Sequence, residues 1–236
     1  MKDYIVIDLE MTGLHPKRDA ILEVGAVRVR DHQIQETMGF FVNPERTIPT
    51  EVTELTGITQ EMADQGCTPE EALHRVADFV GDDIWVGHNI LYDYSFLKQQ
   101  AVNIRLPFEK QAVDTLHIAR ACMQEPESKS LDSLCEYLGI VRVKNHRAVE
   151  DAKATCALYE CLEKTYAITH ENMFAPKPLI YRPKRETPAT KTQKNHLKEL
   201  VDYHKIDIDV SWDTLTRSEA SRLTDRLISR YGRRPK

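Results

Sequence analysis

The segment YIVIDLEMTGL, residues 4–14, carries two carboxylates inside an apolar, β-prone run. Side chains of a strand alternate between the two faces of a sheet, so Asp8 and Glu10 project from the same face. Their Cα atoms lie about 6.5–7 Å apart in an extended chain, and two ionised groups at that separation repel each other and lose hydration. A positive charge must offset this cost. The segment therefore predicts a metal site at one end of a strand.

Length and composition limit the protein class. The chain has 236 residues, of which 41% are hydrophobic, enough for one full domain and a smaller one. Its five cysteines lack CxxC spacing, which is typical of a reduced cytosolic protein. No apolar run approaches the roughly 18 residues that span a bilayer, and the strand pattern begins too early for a signal peptide. We therefore expect a cytoplasmic protein with no membrane partner.

The order of the predicted elements indicates the fold class. Strand patterns cover residues 4–9, 21–30 and 33–42, and two short strands follow near 84–87 and 113–114. Helices lie between and after these short strands, and their ends are marked by the residue pairs Thr68/Gly81 and Ser130/Gly139 and by the expected N-cap Asn89. This order predicts an α/β fold, a mixed five-stranded sheet flanked by helices.

The chain changes character after residue 172. Residues 173–189 contain four prolines and are predicted to be a linker. Residues 190–236 contain the capping-box spacings Thr190/Gln193 and Thr216/Glu219, which predict two helices in a small C-terminal module. Residues 1–172 hold 17 Lys and Arg against 29 Asp and Glu, a net charge of −12, whereas residues 173–236 hold 15 against 8, a net charge of +7. An acidic body with a basic tail is compatible with a metal-using enzyme that carries an appended anion-binding segment, and with two ordinary solvated surfaces.

Two more carboxylates lie near predicted helix starts. Asp93 falls about one turn into a helix, and Asp151 lies in the first turns of a long helix that extends to about residue 168, with His146 just before it. The dipole of a helix N-terminus stabilises a carboxylate and disfavours a protonated imidazole. His146 is therefore expected to stay neutral near pH 7 and to be able to act as a base.

These groups suit a specific chemistry. Carboxylate oxygens are the ligands that Mg²⁺ and Mn²⁺ prefer. Two such ions about 3.5–4 Å apart can activate a water molecule and stabilise the leaving oxygen of a phosphodiester. The predicted metal ligands are Asp8, Glu10, Asp93 and Asp151.

Three motifs together resemble one family. They are D-x-E (Asp8/Glu10), N-x₃-D (Asn89/Asp93) and H-x₄-D (His146/Asp151), within the phrases DLEMTGL, VGHNILYDYSFL and HRAVEDAKAT. In this order and spacing they resemble the DEDDh exonucleases, the family of the proofreading subunit of bacterial DNA polymerase III. D-x-E alone is common by chance, but the three motifs with their connecting helices are specific. The resemblance covers about residues 1–170.

The resemblance implies an RNase H-like fold and release of nucleoside monophosphates from the 3′ end of a nucleic acid. By analogy, Asp8, Glu10 and Asp151 hold one divalent ion, Asp8 also reaches a second ion that Asp93 supports, and His146 is the general base. The residues that the resemblance assigns to the substrate are Thr12, Gly13, Leu14 and Asn89.

Several alternatives stay open. DLEMTGL resembles oligoribonucleases, whereas GHN and the SLDSLCEYLGI helix resemble the proofreading enzymes, so we favour DNA, single-stranded or frayed at the 3′ end, over RNA. The basic module is expected to contact nucleic acid, and docking onto a polymerase or repair complex is the alternative. A non-catalytic binding module is disfavoured because no member of the predicted site is missing. His88, Asp114 and Trp212 are expected to be structural, as a hydrogen-bonding residue, an N-cap and a core residue of the module.

Overall fold

The protein is described by a computed structural model, which covers residues 1–142, 146–183, 185–208 and 210–233. The chain forms two compact units, residues 1–183 and 184–236. The elements of the first unit are β1 (Tyr4–Met11), β2 (Ile21–Arg30), β3 (Gln33–Phe41), α1 (Thr50–Thr56), α2 (Gln60–Asp64), α3 (Pro69–Val80), β4 (Trp85–Gly87), α4 (Leu91–Ile104), β5 (Gln111–Asp114), α5 (Thr115–Cys122), α6 (Leu131–Leu138), α7 (Ala148–Tyr166), α8 (Glu171–Phe174) and β6 (Lys177–Pro178). Those of the second unit are α9 (Lys191–His204) and α10 (Arg217–Tyr231).

The first unit is built on a six-stranded mixed sheet in the order β3-β2-β1-β4-β5-β6. Strands β1, β2 and β3 form an antiparallel meander, β4 and β5 run parallel to β1, and β6 closes the sheet antiparallel to β5. This arrangement confirms the predicted mixed α/β sheet, although the sixth strand was not predicted.

Strand β1 lies at the centre and is covered on both faces. Ile5 and Ile7 belong to the core on one side, which includes α3 and α4. Tyr4 and Val6 belong to the core on the other side, which includes α5, α6 and α7. The alternation continues to the end of the strand. Asp8 and Glu10 therefore project from the face that α7 covers.

Helix α7 approaches the sheet so closely that a side chain is excluded between them. A Cβ atom on Gly25 of β2 would lie 2.0 Å from the carbonyl carbon of Ala148, the first residue of α7. Gly25 pairs with Asp8 across β1 and β2. The absence of a side chain at residue 25 thus brings the start of α7 against the strand end that carries the acids.

Local sequence signals predict most helix ends correctly. The capping box of Thr68 and Glu71 starts α3, and Ser130 and Gly139 bound α6. The prediction of Asn89 as an N-cap is wrong, because Ile90 occupies the N-cap position of α4 without a side-chain hydrogen bond. Asn89 instead adopts a left-handed backbone with φ 64°, and its N–H donates to Asp114 Oδ1 at 3.0 Å. Asparagine tolerates this conformation better than most residues.

The segment predicted to be a linker from residue 173 begins within the first unit. Phe174 is buried, and its ring centroid lies 6.2 Å from that of Tyr159. Residues Lys177–Pro178 form β6, and the Leu179 N–H donates to the Lys110 carbonyl at 2.9 Å. An edge strand tolerates a proline because one side of it needs no ladder partner. Residues 173–183 therefore belong to the first unit, and Lys177–Pro178 extend its sheet.

The second unit contains the two helices that the sequence predicts, each opened by its capping box. A small core joins them, with Trp212 packed partly buried at its margin. The core residues are Ala189, Leu197, Leu200, Leu215, Ala220 and Leu227. Within the described residues, no helix has the length and apolar character that crossing a membrane requires.

The contact between Gly25 and α7 can be tested with Gly25→Ala. The added methyl group meets backbone, so we expect a loss of about 1–3 kcal/mol in the free energy of unfolding and faster hydrogen exchange in the first turn of α7. Gly81→Ala is the control, because its φ of 47° makes alanine strained while no atom lies within 4 Å of the new Cβ. The control should lose stability without faster exchange in α7. Equal exchange in both variants would contradict the packing argument.

Candidate active site

Three elements bring the predicted acids together at the end of β1. Asp8 and Glu10 lie on β1, Asp93 lies in the first turn of α4 and Asp151 in the first turn of α7. The Leu9 N–H, between the two strand acids, donates to Asp93 Oδ1 at 3.0 Å. This bond attaches the start of α4 to β1. Residues that lie more than 80 positions apart in the chain thus share one site.

His146 also lies at this site. Its backbone N–H donates to Asp151 Oδ2 at 3.1 Å, and its own backbone is left-handed, with φ 57°. One imidazole nitrogen of His146 and one carboxylate oxygen each from Glu10 and Asp151 lie within 4.8 Å of one another. A donor set of carboxylates and one imidazole fits a hard divalent cation. All five residues predicted as metal ligands or base are therefore brought together.

Burial raises the pKa values of all four carboxylates, and repulsion within the cluster adds to it at Asp8 and Glu10. Desolvation is the main cause for Asp8, whose pKa is raised well above its usual range, and the charges of Asp93, Asp151 and Glu10 add to it. Burial raises the pKa of Glu10 to about 8 and that of Asp93 to about 7. The pKa of Asp151 is raised for the same reason. The cluster therefore favours the binding of either protons or cations.

Arg142 supplies positive charge to this cluster. Its guanidinium group is almost fully buried and forms ion pairs with Asp132 and Asp151. It lowers the pKa of Asp151 and, less strongly, that of Asp8, in opposition to burial. The sequence analysis missed this residue. An arginine in the otherwise apolar stretch GIVRV, four residues before His146, was the available signal.

A second ion pair anchors the start of α7. Glu23 on β2, which pairs with Glu10 across the strands, is buried and accepts hydrogen bonds from Arg147 Nε at 3.1 Å and Nη2 at 2.9 Å. It also accepts a hydrogen bond from the Ala148 N–H at 3.2 Å. Paired and hydrogen-bonded charges of this kind fix geometry. The sequence analysis missed Glu23, although a single acid within the apolar strand ILEVGAV was a signal.

The turn after β1 holds three residues that the resemblance assigns to the substrate. The buried Thr12 Oγ1 accepts a hydrogen bond from the Ala20 N–H at 2.9 Å. The Tyr92 hydroxyl donates to the Gly13 carbonyl at 3.0 Å. The Leu14 side chain is 72% exposed. Hydrogen bonds thus hold the turn while the apolar Leu14 side chain projects into solvent.

The other predicted residues divide into exposed and structural ones. Asn89 is exposed. His88 bonds Thr115 Oγ1 through Nδ1 and the Lys129 carbonyl through Nε2, both at 2.9 Å, which confirms a structural role. Asp114 is confirmed as an N-cap, because its carboxylate accepts the Leu116 N–H at 2.9 Å.

Comparison with known proteins identifies the family. Residues 5–159 match the family model RNase_T, described as exonuclease, and the chain belongs to this family of DEDDh, DnaQ-like exonucleases. A similar relative is the DNA polymerase III PolC-type of Caldanaerobacter subterraneus subsp. tengcongensis, 34% identical over 204 residues that cover 86% of this chain and 14% of the relative. The chain thus spans about a seventh of that relative's length. It spans a smaller share, 11%, of the PolC-type polymerase of Clostridium perfringens.

Solved structures share the RNase H-like exonuclease fold. E. coli exonuclease I in complex with a dA16 oligonucleotide aligns with a TM-score of 0.66 at 20% identity, over 73% of this chain and 43% of that one. Exonuclease X in complex with 5′ overhanging duplex DNA aligns with a TM-score of 0.58 at 24% identity, over 72% of this chain and 96% of that one.

The carboxylate cluster should make the metal-free protein less stable as the pH rises. The folded state holds protons on these carboxyl groups more tightly than the unfolded state does, so the free energy of unfolding falls from about pH 4 to about pH 8. Asp8→Asn should raise the melting temperature at pH 8 in a chelator by at least about 2 °C and flatten this pH dependence. Asp78→Asn, at an exposed position of α3, is the control and should do neither. A wild-type melting temperature that rises from pH 4 to pH 8 would contradict the charge argument.

The anchoring ion pair can be tested with Glu23→Gln. Glutamine offers one acceptor oxygen and no charge, so Arg147 and the start of α7 lose their fixed position. We expect kcat for nucleotide ester hydrolysis to fall about 10–100-fold, with a smaller change in KM, among molecules shown to be folded. Glu150→Gln, which removes the partner of Lys153 on the same helix, should leave kcat near wild type. A purely structural role for Glu23 predicts loss of folded protein with normal kcat in what remains.

Proposed function

We propose that the protein is a 3′–5′ exonuclease that shortens single-stranded or frayed DNA and releases nucleoside 5′-monophosphates. The observation that carries this proposal is the convergence of four carboxylates and His146 at the end of β1. Membership of the exonuclease family supports the hydrolytic chemistry, and the site retains every predicted group.

The metal ligands divide between two cation positions. Asp8, Glu10 and Asp151 would hold one Mg²⁺ or Mn²⁺, and Asp8 with support from Asp93 a second. When bound, these ions activate the attacking water and stabilise the leaving oxygen. The carboxylates would be ionised at neutral pH with the ions bound, although burial alone favours protonation.

His146 accepts the proton of the attacking water. Its ring nitrogen lies beside Glu10 and Asp151, and the hydrogen bond from its backbone to Asp151 holds this position. A base placed within reach of the water contributes to the rate only when its geometry is correct. The ion pair between Arg147 and Glu23 supplies that geometry by fixing the residue next to His146.

The turn after β1 binds the terminal nucleotide. Hydrogen bonds to Thr12 and Gly13 keep this turn in place, so the exposed Leu14 side chain can pack against a base without reorganisation. Asn89, whose backbone is held by Asp114, offers an exposed amide group at the start of α4. The turn directly follows the strand that carries Asp8 and Glu10. A terminal nucleotide packed against Leu14 would therefore have its phosphodiester close to the acids, which favours cleavage at the 3′ terminus.

DNA is the favoured substrate. The similar relative is a DNA polymerase, and the solved structures of the same fold hold DNA, which supports DNA at this site. The likeness to part of a polymerase also supports association with a replicative or repair polymerase. RNA trimming is the alternative, since the DLEMTGL segment resembles oligoribonucleases.

End-labelled oligonucleotides test the proposal. With Mg²⁺ or Mn²⁺, a 5′-labelled single strand should give a ladder that shortens from the 3′ end, and a 3′-labelled strand should release labelled mononucleotide first. Asp8→Asn should abolish both, and Asp78→Asn should retain both. Matched DNA and RNA strands measure the substrate preference.

Two results would reject the proposal. One is release of the 5′ label as the first product, which would reverse the polarity. The other is an undiminished rate in excess chelator, which would remove the role of the carboxylate cluster.

A further inference from the structure

The two helices of residues 184–236 bring their C-terminal ends together. At their N-terminal ends, the Gln193 amide donates to the Arg217 carbonyl at 3.3 Å. At their C-terminal ends, His204 Nε2 lies 3.1 Å from the Gly232 carbonyl. Helices α9 and α10 therefore run parallel, and side chains from their last turns form one surface.

Aromatic rings dominate this surface. His204 contacts Tyr203 edge to face, with ring centroids 4.8 Å apart, and contacts Tyr231 with centroids 5.6 Å apart. Tyr203 is 51% exposed and Tyr231 is 42% exposed. The aliphatic side chains of both helices are used in the small core. The surface, which we call the aromatic end, thus presents ring faces and edges rather than an aliphatic groove.

Arginines lead to the aromatic end along α10. Arg222, Arg226 and Arg230 follow one another at intervals of four residues, so they form one stripe along the helix with steps of about 6 Å. The Arg230 guanidinium carbon lies 5.4 Å from the centre of the Tyr231 ring. Arg226 and Arg230 are exposed and Arg222 is half-buried. The guanidinium groups at the end of the stripe can therefore reach an external anion.

We propose that the aromatic end and the arginine stripe form a second nucleic-acid site, which binds a single strand at a distance from its reacting terminus. Bases stack on Tyr203 and Tyr231, and Arg226 and Arg230 hold the phosphates. Stacking rings beside cations are the combination that binds single strands without sequence preference. A nucleic acid would use both the rings and the cations of this surface, whereas an apolar protein segment would use only the rings.

The distribution of charge along the chain suggests what such a site would do. This role rests on the proposed exonuclease function. Residues 1–172 carry −12 and repel a polyanion, whereas residues 173–236 carry +7 and attract one. A strand held by the second unit stays at a raised local concentration for the active site of the same chain. The second site should therefore raise affinity for long strands and leave the chemistry of a single nucleotide unchanged.

Binding by the full-length protein in excess chelator isolates this site from hydrolysis. The probe is fluorescein-labelled dT20, measured by anisotropy at several salt concentrations. Tyr203→Ala with Tyr231→Ala should raise Kd about tenfold or more, and the double phenylalanine variant, which keeps the rings, should bind like wild type. Arg226→Gln with Arg230→Gln should reduce the slope of log K against log salt by about 1.4.

A matched control removes the same charge elsewhere. Lys191→Gln with Arg217→Gln takes two cations from the opposite end of the helix pair, where both are exposed. These changes should reduce the slope by clearly less than the arginine stripe variant does. The inference is overturned if the alanine variant binds dT20 like wild type, or if the two charge variants are indistinguishable.

A small substrate separates this inference from the proposed function. Hydrolysis of a chromogenic thymidine monophosphate ester needs only the active site, so its kcat and KM should be the same in wild type and in the tyrosine and arginine variants. Absence of hydrolysis by the wild type would reject the exonuclease proposal, whatever the binding data. Normal hydrolysis with unchanged dT20 binding would reject only the second site.

Discussion

The crowding of four carboxylates at the end of β1 is the constraint on which the rest of the site depends. Burial removes their hydration, and the charges of the neighbouring acids raise the pKa values of Asp8 and Glu10 further. Arg142 brings one positive charge to the group, which is too little for four acids. Divalent cations are the natural complement, because they supply high charge to hard oxygen ligands. The same arrangement therefore lowers the stability of the bare protein and supports the proposal that the site holds divalent cations.

Three backbone contacts maintain this crowding against repulsion. The Leu9 N–H donates to Asp93. Glu23 binds the start of α7 through the Ala148 N–H and the Arg147 side chain. Gly25 lets that helix pack against β2. Each contact joins an acid-bearing element to the antiparallel part of the sheet. The geometry of the candidate site thus depends on the β1–β2 pair, whose backbone hydrogen bonds do not involve the acids.

Sequence patterns predicted those features whose cause lies within a few residues. The alternation in β1 placed Asp8 and Glu10 on one face, and the capping boxes at Thr68 and Thr190 marked helix starts that the structure confirms. The three motifs identified the four acids and His146. The N-cap prediction for Asn89 was wrong because the backbone N–H of Asn89 bonds to Asp114, a residue 25 positions away. Strand β6 was not predicted because two residues are too few to show a periodic pattern. They form a strand only through their pairing with β5.

By itself, the sequence predicted which residues form the carboxylate cluster and in which elements they lie, because side-chain alternation and helix capping are local effects. Only the tertiary structure decided that Arg142 enters the acidic cluster, that Glu23 anchors Arg147, and that Tyr203 and Tyr231 share one surface. Those contacts join residues far apart in the chain. Their existence follows from how buried strands and helices pack, which no short stretch of sequence encodes.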